Sequence, residues 1–198
     1  MSKQEELDNL KERAILLHTC KLCKHRKNFV FGEGDADSEI MIIGEAPGKD
    51  EDEQGRPFVG RSGQLLTRII ENGMKIKRSD IYISNIVKCR PTKDNLGELD
   101  ISPSKEDIES ARWIIEEQIN IIKPKIILAV GNTSARFLLN TKEGITKTHG
   151  NIYDYKNTKV MPIYHPSYIL RNGGEKSPLK KVVWEDIKKA MDYLGMEY

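Results

Sequence analysis

The sequence lacks the features that would place it in a membrane or divide it into several domains. No apolar run approaches the roughly 20 residues that a membrane-spanning helix needs. The N-terminal stretch MSKQEELDNLKERAILL is rich in charge and has no apolar signal-peptide core, so we expect a cytoplasmic protein. Internal repeats, low-complexity tracts and linkers are also missing, and 198 residues therefore predict one domain spanning 1–198.

The net charge is also small, and it gives little information about binding partners. A formal charge of +2 neither supports nor excludes a nucleic-acid partner. The distribution of charge is more informative, because cationic residues cluster at 21–27, 88–93 and 171–181. Isolated charge runs are usually solvated faces, but each of these adjoins a motif described below.

Cysteine occurs only three times, as the pair Cys20 and Cys23 and as the separate Cys89. A C-x-x-C pair can be a metal knuckle, a redox pair or a chance occurrence. A thioredoxin-like pair would lie at the end of a strand that opens a helix, whereas this pair follows a predicted helix and precedes a basic loop. We therefore favour a metal site, with Cys89 as a further ligand.

Hydrophobic periodicity predicts strands that alternate with helices. Apolar runs predict buried strands at 39–43, 81–87, 125–130 and 159–163. Helical patterns cover 3–18, 64–72, 134–139 and 179–194, and another helix has Ser104 as its N-cap and ends before Pro124. The segment 144–157 is interpreted as turns with a hairpin arm. The alternation predicts a single α/β domain with a central four-stranded parallel sheet and helices on both faces.

A glycine-rich, acidic loop follows the first predicted strand and reads GEAPGKDEDEQGRPFVGRSG from Gly44 to Gly63. It lacks the G-x-G-x-x-G spacing of a dinucleotide site and the closing G-K-[ST] of a phosphate-binding loop. Two further polar motifs end predicted strands: Ser84-Asn85 and His165-Pro166-Ser167. Each is weak evidence of function when taken alone. The carboxyl ends of parallel strands share one edge of the sheet, so all three motifs can meet at one ligand.

The motifs together resemble the family 4 uracil-DNA glycosylases. The resemblance rests on C-x-x-C near the start, GEAPG followed by GRPFVGRSGQLL, SNIVKCRP, KIILAVGNTSARFLL, VMPIYHPSYILRN and VVWEDIKKA, in that order. It implies an enzyme of DNA repair that flips uracil out of DNA and hydrolyses its N-glycosidic bond without a Schiff-base lysine. The alternative is a catalytically silent or DNA-trapping relative. That alternative is disfavoured, because trapping relatives carry a basic, histidine-containing insertion after the first motif and this chain has none.

The resemblance also implies roles for individual residues. Phe58 stacks on the flipped base, Asn85 pairs with it, and His165 stabilises the departing uracil anion. Glu45 is the first candidate for polarising water, and Glu51 is expected to close the pocket around uracil C5. The implied substrate-binding set is Glu45, Ala46, Pro47, Phe58, Asn85 and His165, with Glu45 and His165 catalytic.

DNA contacts and a metal cofactor follow from the same resemblance. Lys88, Leu170 and Arg171 are expected to bind uracil-containing DNA, with the protein acting as a monomer. Cys20, Cys23 and Cys89 match three of the four cysteines that hold a [4Fe-4S] cluster in this family, and Ala111 occupies the position of the fourth. A non-cysteine fourth ligand such as His25 or an acid is one alternative, and zinc on the three cysteines with His18 or His25 is another.

Overall fold

A five-stranded sheet forms the centre of the molecule. The computed structural model describes residues 1–18, 20–93 and 99–197. The strands are β1 (Ile40–Gly44), β2 (Tyr82–Asn85), β3 (Ile126–Val130), β4 (Tyr153–Tyr155) and β5 (Thr158–Ile163), in the spatial order β2-β1-β3-β5-β4. The polar loop predicted at 93–98 lies, beyond Lys93, outside the described residues.

The first three strands and β5 run parallel, as the sequence predicts, whereas β4 pairs antiparallel with β5. The prediction of four strands therefore missed the edge strand β4. The reason is its length: it has three residues, none of them buried, so no apolar run marks it. It is joined to β5 by a tight turn in which Lys156 adopts a positive φ of 49°, which closes the hairpin arm expected in this segment.

The helices are α1 (Lys3–Leu17), α2 (Lys49–Gln54), α3 (Arg61–Arg68), α4 (Lys105–Ile122), α5 (Gly131–Leu139), α6 (Ile145–Thr148), α7 (Pro166–Arg171) and α8 (Leu179–Leu194). Every residue of β1, β2 and β3 is buried. Successive side chains in a strand point to opposite faces, so both faces of the sheet are covered, which confirms the α/β prediction.

Two helices show how the local sequence sets the boundaries. Ser104 caps α4 as predicted, because its hydroxyl accepts from the backbone N–H of Asp107 at 3.2 Å. Helix α2 lies inside the stretch that was predicted to be an irregular loop. There the Glu51 carboxylate accepts from the N–H of Gly48 at 3.2 Å, and Gly55 ends the helix in a left-handed conformation with φ 70°. None of the helices in the described ranges is both long and apolar enough to cross a bilayer.

Candidate active site and metal centre

The three strand-end motifs line one cavity at the carboxyl edge of the sheet. Its volume is about 770 Å³, within the range of small-molecule sites. The sequence-predicted residues that line it are Glu45, Ala46, Pro47, Glu51, Phe58, Asn85, His165 and Arg171. Leu170 lies on a neighbouring cavity that also includes Arg171. The topology thus brings residues 45 and 165, which are far apart in sequence, to the same site.

Asn85 ends β2 directly beside the end of β1, where it pairs in register with Gly44. Its side chain is 2% exposed, and its Oδ1 is buried without a hydrogen-bond partner among the described residues. Leaving such an acceptor unpaired costs about 1–3 kcal/mol. An amide that lines a cavity and carries this cost is a natural partner for a ligand donor.

Phe58 is held against Asn85 by the backbone around it. It adopts a positive φ of 51°, which is strained for a bulky residue. A Cβ on Gly63 would lie 2.0 Å from the Phe58 carbonyl, and one on Gly44 would lie 2.5 Å from its ring. Arg78 adds a hydrogen bond of 3.1 Å from its guanidinium to the Phe58 carbonyl oxygen. Two glycines and one arginine therefore fix an aromatic face in the cavity.

His165 lies between β5 and α7, directly before the first residue of the helix, and it is the N-cap of α7. Its Nδ1 accepts from the backbone N–H of Ser167 at 3.1 Å. Burial and, to a smaller extent, the positive charge of Arg171 lower the pKa of His165 to about 4. The ring is therefore neutral near pH 7, with Nδ1 unprotonated and the proton on Nε2. Its centroid lies 5.9 Å from that of Phe58, so a neutral N–H donor and an aromatic face share the cavity.

Glu45 has a partner that the sequence did not single out. The hydroxyl of Thr133, near the start of α5, donates to the Glu45 carboxylate, and both residues line the cavity. Thr133 follows β3 at the same edge of the sheet. A polar residue directly after a predicted parallel strand could therefore have been proposed as a site residue from the sequence. The contact fixes the direction of the carboxylate.

Glu51 holds the acidic loop together. Its Oε1 accepts from the N–H groups of Val59 and Gly60, both at 2.9 Å, and its Oε2 accepts from Gly48 at 3.2 Å. Both oxygens are thus engaged by backbone, and the side chain is buried. These contacts tie the start of α2 to the segment that follows Phe58, so Glu51 shapes the cavity wall.

The position of Lys88 disagrees with the role that the sequence predicted for it. It was expected to bind DNA, but its side chain is fully buried. Its ammonium donates to Ser84 Oγ at 2.7 Å, to the Asn85 carbonyl at 2.6 Å and to Gln118 Oε1 at 2.7 Å, and burial holds its pKa well below the usual range. A phosphate cannot reach it. Lys88 instead braces the end of β2 that carries Asn85.

Arg171 and Leu170 lie at the end of α7, close to the mouth of the cavity. Arg171 is exposed and Leu170 is half-buried. Arg171 Nη1 donates to Ser167 Oγ at 3.3 Å, next to His165. A cation and an apolar side chain therefore lie together beside the cavity.

A second group of side chains forms a candidate metal centre. One donor atom from each of His18, Cys20, Cys23 and Cys89 lies within 4.8 Å of the other three. Cys89 and His18 are buried, and Cys20 and Cys23 are half-buried. Three thiols and an imidazole are donors that suit iron–sulfur clusters and zinc alike. The group is therefore compatible with an iron–sulfur cluster. His25 is exposed and lies outside the group.

Sequence comparison places this chain among known proteins. Residues 31–188 match the family described as the uracil DNA glycosylase superfamily. The chain belongs to this superfamily. It is 40% identical over 199 residues to a type-4 uracil-DNA glycosylase of Thermotoga maritima, covering 99% of this chain and 98% of that protein. It is 40% identical over 200 residues to the type-4 enzyme of Saccharolobus solfataricus, covering 96% and 88% of the two chains. It is 38% identical over 193 residues to the type-4 uracil-DNA glycosylase of Sulfurisphaera tokodaii, covering 93% of this chain and 83% of that protein.

Membership of the uracil-DNA glycosylase superfamily confirms the family resemblance that the motifs indicated. In this superfamily member the structure brings together every residue of the implied substrate-binding set. It separates Lys88 from them, because that side chain points into the interior. It adds Thr133 to the cavity, and of the two histidines named as alternative ligands it places His18 beside the three cysteines.

Proposed function

We propose that this protein is a type-4 uracil-DNA glycosylase that removes uracil from DNA by hydrolysing its N-glycosidic bond. The observation that carries the proposal is the buried, unpaired Oδ1 of Asn85 beside the ring of Phe58, in a cavity large enough for a base. An enzyme that acts on a base within DNA must first take that base out of the stack. The cavity offers the flipped base one aromatic face and one polar edge.

Recognition of uracil follows from the amide of Asn85. Its Oδ1 accepts from uracil N3–H, and its NH₂ donates to uracil O4. Cytosine presents an acceptor at N3 and a donor at C4, so both contacts would be mispaired, which a buried site penalises. Stacking on Phe58 adds about 1–3 kcal/mol for whichever base enters, because it does not depend on sequence. Asn85 therefore selects the base, and Phe58 holds it.

Bond cleavage places negative charge on uracil and positive charge on the sugar. The neutral imidazole of His165 donates its Nε2–H to uracil O2, where the negative charge develops. Backbone N–H groups near Ala46 assist. Glu45, oriented by Thr133, polarises water or supports the sugar cation. None of the described residues that line the cavity is a lysine, which supports a monofunctional glycosylase without a Schiff-base nucleophile.

DNA is held at the rim of the cavity. Arg171 binds a phosphate, and Leu170 enters the space that the flipped base leaves, as apolar wedges do in other DNA-binding proteins. The exposure of Arg171 and its hydrogen bond to Ser167, two residues after His165, support this role. The proposal includes action as one domain, as a monomer, in the cytoplasm.

The metal centre is proposed to hold a [4Fe-4S] cluster on Cys20, Cys23 and Cys89. When bound, the cluster supplies a structural cross-link between the segment after α1 and the segment after β2. Ala111, at the position of the fourth cysteine in the family, is fully buried and has no side-chain donor atom. The cysteines take no part in uracil excision, because none of them lines the active-site cavity.

The test is single-turnover cleavage of matched oligonucleotides that contain uracil, cytosine or thymine at one position. The parent protein should excise uracil alone, and His165→Ala should lower the rate by roughly 10²–10³, the scale for one lost oxyanion donor. Asn85→Asp should change the preferred base as well as the rate, because a donor becomes an acceptor. Excision of uracil by His165→Ala at the parental rate would refute the site assignment. Tight DNA binding without turnover by the parent would favour the silent or trapping relative.

A further inference from the structure

The histidine at the end of α1 is buried without a partner. His18 is 5% exposed, and its Nε2 has no hydrogen-bond partner among the described residues. Its backbone N–H donates to the Ala14 carbonyl at 2.9 Å, which fixes the residue at the helix terminus. An unpaired buried imidazole nitrogen costs about 1–3 kcal/mol. The folded chain accepts this cost at a position where an apolar residue would pack without it.

The ring of His18 is also fixed in place. It meets the ring of Phe29 edge-on, with the centroids 6.1 Å apart. The guanidinium of Arg26 lies over the Phe29 ring, 4.9 Å from its centroid. Arg26 also donates a hydrogen bond to Cys89 Sγ at 3.2 Å. The basic loop thus packs His18 from one side and places a cation beside the most buried thiol.

One ring nitrogen of His18 lies close to three sulfurs. The donor atoms of His18, Cys20, Cys23 and Cys89 all lie within 4.8 Å of one another. Around one tetrahedral ion with metal–sulfur bonds of about 2.3 Å, ligand atoms are roughly 3.8 Å apart. The four donors are therefore close enough to share one centre. They come from the end of α1, from the turn at 21–24 and from the segment after β2.

We infer that His18 Nε2 is the fourth protein ligand of the metal centre formed by Cys20, Cys23 and Cys89. The inference goes beyond the glycosylase activity and does not depend on it. An imidazole replaces a thiolate in an otherwise all-cysteine set, which removes one negative charge from the centre. The replacement of cysteine by histidine in iron–sulfur sites raises the reduction potential. An iron–sulfur cluster held by these four residues would therefore have a higher reduction potential than the same cluster on four thiolates.

Substitutions at two histidines test the assignment in the full-length protein purified without oxygen. His18→Ala removes the ligand, His18→Cys replaces it with a thiolate, and His25→Ala is the matched control, because His25 is exposed and outside the donor group. Iron, zinc and acid-labile sulfide are measured per chain, together with visible absorption and redox titration. We expect His25→Ala to match the parent, His18→Ala to lose metal, and His18→Cys to retain it at a lower potential.

A spectroscopic measurement on the parent and His18→Cys tests the inference even if His18→Ala fails to fold. Pulsed EPR of the reduced iron–sulfur form should detect imidazole ¹⁴N coupling in the parent and not in His18→Cys. Parental metal content in a folded His18→Ala protein, or identical nitrogen coupling in the parent and His18→Cys, would overturn the inference. Stoichiometric zinc that is lost only in His18→Ala would support His18 as a ligand while refuting the proposed cluster. Uracil excision is assayed separately, so the two proposals can fail independently.

Discussion

Gly44→Ala is the sharpest perturbation of the candidate site, because it adds one carbon between the two groups that would hold the base. The new Cβ would lie 2.4 Å from Asn85 Oδ1 and 2.5 Å from Phe58 Cζ. Ordinary contact between non-bonded carbon atoms is about 3.5–4.0 Å, so each side chain must retreat by roughly 1 Å. Both are buried, at 2% and 6% exposure, and both line the cavity, so their retreat changes its shape.

The expected loss follows from this displacement. Misplacing a positioning group by 1 Å costs on the order of 10²-fold in rate, which corresponds to about 2.7 kcal/mol in the barrier. Overpacking the site should also lower the free energy of unfolding by about 1–3 kcal/mol. We therefore expect a folded, less stable protein whose excision of uracil is strongly impaired.

The assay is single-turnover excision from a uracil-containing oligonucleotide, with thermal unfolding as the check on folding. Gly144→Ala is the matched control, because Gly144 lines the same cavity and a Cβ there would meet nothing closer than 3.8 Å. Its φ of −86° also suits alanine. The control should keep the parental rate. Parental activity in a folded Gly44→Ala protein would show that Asn85 and Phe58 do not form the base site.

Three other predictions test the charges around the cavity. Because the pKa of His165 is lowered to about 4, the rate of excision should stay constant as the pH falls to roughly 5. The rate should fall near pH 4, where the protonated Nδ1 can no longer accept a hydrogen bond from Ser167. An inflection near pH 6.5 in the pH–rate profile would contradict this prediction. Arg171→Ala should reduce the slope of log affinity against log salt for DNA by about one, the value for one phosphate contact, and an unchanged slope in filter-binding titrations would place DNA elsewhere. Lys88→Met should leave that slope unchanged, because the side chain of Lys88 is buried. It should lower the rate of excision and the melting temperature, because the Asn85 carbonyl loses its hydrogen bond from Lys88. A reduced slope would show that Lys88 contacts DNA after all.

The order of elements and the place of the site were determined by the sequence. Apolar runs mark β1, β2, β3 and β5 because strands covered on both faces consist mainly of apolar residues. Helix α8 spans Leu179–Leu194, the range that its helical periodicity predicts. Parallel strands share one carboxyl edge, so Asn85 and His165 could be placed on one cavity before their distance was known.

Tertiary structure alone decided which polar groups face a ligand and which face the interior. The basic run 88–93 does not reveal that Lys88 turns inward, because its partner Gln118 comes from α4, 30 residues away. The contact between Thr133 and Glu45 joins α5 to the loop after β1, and the two residues are 88 positions apart. His18 lies two residues before Cys20, and spacing could not rank it above His25. Its proposed role rests on its burial and on the end of α1 and the segment after β2 bringing its donor atom close to the three sulfurs.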